Sequence, residues 1–158
     1  MLSIFKSLLH NVGVTLVGLS LALIGTRFDA LLEVKRFQSA LTLIGSGLLL
    51  VAGFLLRTWA AFYFYKYQMR VIALAPQRTL ITSGPYRWSR NPLYLGGNVL
   101  IFFGAALLLG SPSALVITTL HLPFVDLFIR REERQLQRTF GEQWLQYKQR
   151  LNAADLKR

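Results

Sequence analysis

The stretch Ser83-Gly84-Pro85-Tyr86-Arg87-Trp88-Ser89-Arg90-Asn91-Pro92-Leu93-Tyr94 is the densest polar and aromatic cluster in the chain. Asn91-Pro92 reads as a helix N-cap followed by the first helical residue. An Asn side chain accepts from an otherwise orphaned N–H, and Pro needs no partner there. A helix N-terminus beside Arg90 attracts anions through its free N–H groups and its dipole. Tyr94 stands one turn inside. The plainer reading of these residues is a capped membrane helix with aromatic and arginine anchors at the interface.

A second cluster, Arg130-Arg131-Glu132-Glu133-Arg134, lies some forty residues on. Adjacent acids on a helix point in different directions, so one can face inward while the other faces water. The alternative is a solvated charge run. Arg57 and Asp126 are further ionisable groups inside apolar stretches, where charge is expensive and turns to a protein interior or wet cavity. They could pair, they could snorkel to the interface, or Arg57 could hold an anionic substrate group. Cysteine is absent, which excludes disulfides, thiolate metal sites and Cys nucleophiles. The two histidines do not make a metal site. His121 reads as a hydrogen-bonded core residue, and His10, near a chain end, is uninformative.

The elements that must position these clusters are membrane helices. Of 158 residues, 53% are hydrophobic, and 18 Lys+Arg stand against 7 Asp+Glu for a net charge of +11. Residues 7–26 and 37–56 hold no charged residue, and the second run resumes after Arg57 through Tyr65. Residues 91–125 form a third uncharged run. A span needs ~20 mostly apolar residues, so the chain is expected to be an integral membrane protein. The basic residues are pushed into loops and tail, which removes the nucleic-acid reading. Leu8–Gly25 reads as a retained helix rather than a cleaved signal peptide, because the basic lead-in and the small-residue cleavage site are poor.

Spans are expected at 8–26 and 39–65. The third run would be roughly 52 Å long as one helix, against a hydrocarbon core of ~30 Å. Gly110-Ser111-Pro112-Ser113 is a turn signal, so the run splits into a hairpin over 92–109 and 113–129, with a shallow re-entrant hairpin as the alternative. From Arg130 the tail is expected to be helical and amphipathic, on Leu136, Phe140 and Trp144. Gly141 ends that piece, a short helix runs on to about Arg150, and the chain frays from Asn152. Residues 71–74 and 79–82 could pair as a small hairpin. The glycines Gly13, Gly18, Gly25, Gly45, Gly47, Gly96, Gly97 and Gly104 are expected to let helices approach closely.

The fold class is therefore all-α: a polytopic bundle of about four spans plus a C-terminal amphipathic helix. It forms one membrane domain over 1–158, with two spans in 1–65, a loop at 66–91, the hairpin at 92–129 and a tail at 130–158. Loop 66–90 carries five basic residues and no acid, and the tail eight basic and four acidic. By the positive-inside rule, both termini and the site lie on the cytoplasmic side. The hairpin's open end brings Arg90-Asn91 close to Glu132-Glu133. An anion-seeking helix end beside a carboxylate pair suits a zwitterionic or polyhydroxyl ligand.

Together these clusters resemble the isoprenylcysteine carboxyl methyltransferase and phospholipid methyltransferase superfamily of integral membrane enzymes. Its pattern is Gly-Pro-Tyr, then Arg-His/Asn-Pro-x-Tyr, a helical hairpin, and Glu-Glu-x-x-Leu-x-x-x-Phe-Gly-x-x-Tyr-x-x-Tyr. Gly84-Pro85-Tyr86, Arg90-Asn91-Pro92-Leu93-Tyr94, Glu132-Glu133, Leu136, Phe140-Gly141, Trp144 and Tyr147 match it in order and spacing. Asn91 stands where the prenylcysteine enzymes have His, and Trp144 replaces the first tail tyrosine. The resemblance implies S-adenosylmethionine as cofactor, bound without a Rossmann fold. Arg90 and the Asn91-capped helix end would take the methionine carboxylate, with Tyr86 nearby. Glu133 or Glu132 would take ribose or the amino group, and Tyr94 and Phe140 would wall the adenine.

The expected function is transfer of a methyl group to a lipophilic or lipidated acceptor with a carboxylate or amine head group, drawn from the lipid bilayer. Arg57 would steer an acidic head group; Arg57 and Arg90 are the expected catalytic residues. No metal and no nucleic acid take part. The rival readings are a non-catalytic membrane scaffold that keeps the fold and, more weakly, a small transporter, which would be expected to show paired broken helices.

Overall fold

The computed structural model describes residues 2–69, 71 and 77–155. The chain is all-helical, with no strand among these residues. Helix α1 spans Leu2–Leu31 and α2 spans Ala40–Lys66. A 3₁₀ turn covers Gly84–Arg87. Helix α3 runs over Pro92–Leu108, α4 over Pro112–Phe140 and α5 over Glu142–Asp155.

Helices α1, α2 and α4 are long and apolar enough to cross a membrane, and α3 is a shorter apolar partner. At ~1.5 Å per residue α3 is about 25 Å long, somewhat less than a full hydrocarbon core. Their outward faces carry exposed Leu, Ile, Val and Phe, among them Leu41, Leu48, Leu55 and Leu120. Lipid is the natural solvent for such a surface, and the protein is an integral membrane protein.

A helix stands at each expected span; α1 and α4 run longer than expected, while α2 and α3 keep nearly the expected limits. α1 begins several residues before Ser7 and continues past Arg27 and Asp29. Asp29 is tolerated because it is buried and caps another helix: its Oδ1 accepts the Ser113 N–H at 2.9 Å. Ser111 adds the local cap, its Oγ accepting the Ala114 N–H at 3.0 Å. The hairpin turn falls at Gly110, whose φ of +58° suits glycine. Phe37 N–H donates to the Gly110 carbonyl at 2.9 Å and fastens the α1–α2 loop to the turn.

The helix expected from Arg130 to Gly141 is present as the continuation of α4, which runs to Phe140 despite Pro123 and the intrahelical bond it removes. One expectation is corrected. Asn152 is not frayed, because Leu151 is buried against Trp144 and Tyr147 and α5 continues to Asp155. The pairing expected over 71–74 and 79–82 lies outside the described residues, because 72–76 are not described.

Helix contacts without a water-driven hydrophobic force rely on close packing. A Cβ on Gly53 would sit 2.7 Å from the Gly96 carbonyl oxygen, and one on Gly96 would sit 2.9 Å from the Gly53 oxygen. The two backbones of α2 and α3 therefore meet directly. Around this contact α3 widens into π-helical turns over Leu95–Ile101. Gly25 and Gly104 also meet backbone atoms, of Ala114 and Leu50, while Gly18 and Gly97 are crowded by the side chains of Phe102 and Arg57. Gly13, Gly45 and Gly47 are not, with nothing within 4 Å of the Cβ position, so they face outward and make no close helix contact.

This contrast is testable. Overpacking costs about 1–3 kcal/mol, while glycine in a helix interior is about 1 kcal/mol worse than alanine. Gly53→Ala should lower the unfolding temperature in detergent, and Gly45→Ala should leave it unchanged or raise it.

Candidate functional site

The site lies at the end of the bundle where α2 finishes and α3 begins. Gly84 starts the 3₁₀ turn with φ +61°, and a side chain there would collide with the Tyr63 ring of α2. Pro85 fixes the turn, and Tyr86 is buried with its ring 6.0 Å from that of Phe64. Asn91 then precedes α3, with Pro92 as the first helical residue as expected. The Asn91 side chain makes no capping bond; its own N–H instead donates to Ser89 Oγ at 3.2 Å.

Helix α5 closes the site. Gly141 turns the chain with φ +50°, so Trp144, Tyr147 and Leu151 fold back as a buried cluster with Leu80, Leu136 and Phe140. Tyr147 donates its hydroxyl to the Tyr86 carbonyl at 2.7 Å, tying the tail to the 3₁₀ turn. Burial pushes the Tyr147 hydroxyl up to about 12, and burial pushes that of Tyr86 well above the ordinary phenol range.

Five of the residues singled out from sequence line one cleft: Tyr86, Arg90, Asn91, Tyr94 and Glu132. Leu136, Trp144 and Tyr147 complete its tail wall. The adjacent acids separate as expected. Glu132 borders the cleft, where its Oε1 accepts the Tyr94 hydroxyl at 3.0 Å. Glu133 borders an outer groove, its Oε1 3.0 Å from Arg90 Nη1 and its Oε2 3.8 Å from Lys148 Nζ. Phe140 does not line the cleft; it packs in the cluster behind Trp144. The Tyr86 hydroxyl is buried and has no hydrogen-bond partner among the described residues.

A second chamber of about 250 Å³ adjoins the cleft toward the middle of the bundle, and Tyr94 and Glu132 border both. Arg57 lines this chamber. The expected Arg57–Asp126 pair does not form. Arg57 Nη1 donates to the Leu93 carbonyl at 2.6 Å, and Nη2 lies 3.0 Å from His10 Nε2. Asp126 is exposed on α4 and accepts from Arg130, one turn along, at 2.6 Å. The i, i+4 spacing made that local pair available, whereas reaching Arg57 would have required burial. His121 is hydrogen-bonded, its Nε2 3.1 Å from Asn98 Oδ1.

The sequence reading missed His10 and the polar face that carries it. Ser7 donates to the Thr58 carbonyl at 2.8 Å, and Asn11 donates to the Phe54 carbonyl at 3.2 Å and to the Thr58 hydroxyl. Ser7, His10 and Asn11 share one face of α1 at i, i+3 and i+4 spacing. That pattern, inside an uncharged run, was the signal.

The family profile described as phospholipid methyltransferase matches residues 41–143, well over half of the chain. No curated protein and no solved structure gives a match. The matched stretch contains α2, the cleft-forming turn, the hairpin and the Glu132-Glu133 pair. It leaves out α1 and most of α5.

The tyrosine burial has a pH consequence. Unfolded tyrosines titrate near 10, while Tyr147 in the fold titrates at about 12. Its stabilising contribution is complete below the lower value and is lost as pH rises through the higher one. Tyr147→Phe should flatten the fall in unfolding free energy across that window. At neutral pH the same change should cost about 0.5–1.5 kcal/mol through loss of the bond to the Tyr86 carbonyl. Denaturant titrations in detergent at a series of pH values check both.

Proposed function

We propose that this chain, which belongs to the phospholipid methyltransferase family, transfers a methyl group from S-adenosylmethionine to a lipophilic acceptor held in the membrane. Family membership supports a membrane methyltransferase; the donor, the acceptor and the residue roles are our reading. The observation that carries it is the buried, unpartnered Tyr86 hydroxyl on the wall of a cleft that also presents Arg90, Tyr94 and Glu132. A buried polar atom left unmet costs roughly 1–3 kcal/mol, and a ligand that meets it removes that cost.

The donor set fits an amino-acid nucleoside. Arg90, at the start of α3, takes the carboxylate. Glu132, the acid that borders the cleft, takes the ammonium or the ribose hydroxyls. Glu133, which also pairs with Lys148, holds Arg90 from the outer groove rather than touching the ligand. Tyr94 and Trp144 supply aromatic faces for the base, and Phe140 backs Trp144. When bound, S-adenosylmethionine supplies an electrophilic methyl on a sulfonium. The chain's residues need to align an acceptor with it, and positioning of that kind contributes ~7–11 kcal/mol of barrier reduction.

A lipid acceptor approaches from the bilayer side through the chamber that shares Tyr94 and Glu132 with the cleft. Arg57 steers its head group. The whole chain acts as one membrane domain, and the excess of basic residues in loop 66–90 and the tail supports a site on the cytoplasmic side.

Binding of S-adenosylhomocysteine to the purified protein in detergent tests the reading. At ~100 times its dissociation constant it should add ~2.7 kcal/mol of stability. Arg90→Ala and Glu132→Gln should each weaken binding at least ~10-fold, about 1.4 kcal/mol. Labelled methyl transfer into lipid extracts, followed by mass spectrometry, should then identify the acceptor. A wild-type protein that binds no S-adenosylhomocysteine would overturn the assignment and favour a scaffold role.

A further inference from the structure

Arg57 is 8% exposed and lies in a span, yet among the described residues no carboxylate pairs with it. Its partners are neutral dipoles, the Leu93 carbonyl and the His10 ring, and its Nε has no acceptor. Removing a cation from water without a counter-charge costs several kcal/mol. Charges kept inside a membrane pair with one another or with backbone carbonyls, as Arg57 does with Leu93, and mark ligand paths.

His10 adds a second donor. A guanidinium only donates, so His10 Nε2 accepts from Arg57, and a neutral ring then carries its proton on Nδ1. No bond to Nδ1 forms among the described residues. His10, Val14, Arg57, Leu93, Tyr94 and Asn98 all border the chamber of about 250 Å³. The ring is held there because Ser7 and Asn11, on the same face of α1, bond to α2. Glu132 also borders the chamber and is bonded to Tyr94 on its cleft side.

We infer that His10 and Arg57 form an oxyanion-binding corner within the bilayer, which takes the carboxylate or phosphate of an acidic lipid. This deepens the proposed function and rests on reading the chamber as its acceptor side. The corner attracts an anion and repels an ammonium, so the acceptor carries negative charge where it meets α1. α1 lies outside residues 41–143 matched by the family profile. The His10 half of the corner is therefore supplied by a helix outside the matched residues, and the Arg57 half by a helix inside them.

The test uses the full-length protein in detergent without cofactor, titrated with oleate, with oleoyl lysophosphatidate and with uncharged monoolein. At least one anionic probe should bind ~10-fold tighter than monoolein, and His10→Ala and Arg57→Gln should each abolish that preference, with S-adenosylhomocysteine affinity within ~2-fold of wild type in His10→Ala. Preference for oleate identifies a carboxylate, and preference for lysophosphatidate identifies a phosphate. Arg57→Gln also loses the bond to Leu93 and could unfold the protein; His10→Ala keeps the question answerable. Equal binding of all three probes, or an undiminished preference in His10→Ala, overturns the corner. Loss of S-adenosylhomocysteine binding with the anionic preference intact overturns the methyltransferase reading and leaves the corner standing.

Discussion

In a bilayer a helix gains little by leaving lipid, so α2 and α3 are held by contact, and at Gly53 and Gly96 that contact is backbone on backbone. The site depends on it. One turn along α2 from Gly53, Arg57 reaches the Leu93 carbonyl in the first turn of α3. With α3 so fixed, Tyr94 meets Glu132 on α4 and Arg90 meets Glu133. A side chain at either glycine would separate the helices and carry Arg57 away from the Leu93 carbonyl.

The polar groups are sorted by depth. Glu133, Arg90 and Lys148 form a partly exposed cluster at the outer groove. Tyr86, Tyr94 and Glu132 stand in the cleft, and Arg57 and His10 stand deeper. The cleft and the chamber thus meet at a shared wall that includes Tyr94 and Glu132.

Much of this was legible in the residues because membrane helices announce themselves by length and charge. The uncharged runs located α1, α2 and the hairpin, Gly110-Ser111-Pro112 located the turn, and the order of two polar clusters placed Arg90, Asn91 and Glu132 together. What stayed hidden depended on partners distant in sequence. Asp126 looked like a counter-ion for Arg57, yet Arg130 satisfies it locally and it remains exposed. His10 looked uninformative because nothing near it in the chain carries charge; its meaning comes from residue 57. Phe140 looked like a cleft wall, and the turn at Gly141 instead brings Trp144 and Tyr147 forward, with Phe140 behind them. Asn91 was rightly placed as the residue before α3, but its side chain does not supply the cap.

The far end of the hairpin carries a different lesson. The first turn of α4 is completed by Asp29, 84 residues earlier, whose carboxylate accepts the Ser113 N–H. Backbone groups at that depth have little water to turn to. The carboxylate of α1 thus stands in for the missing previous turn of α4 and binds the first helix to the closed end of the hairpin. That clasp lies at the opposite end of the hairpin from the Arg90–Glu133 pair, so both ends of α3–α4 are fastened by a carboxylate.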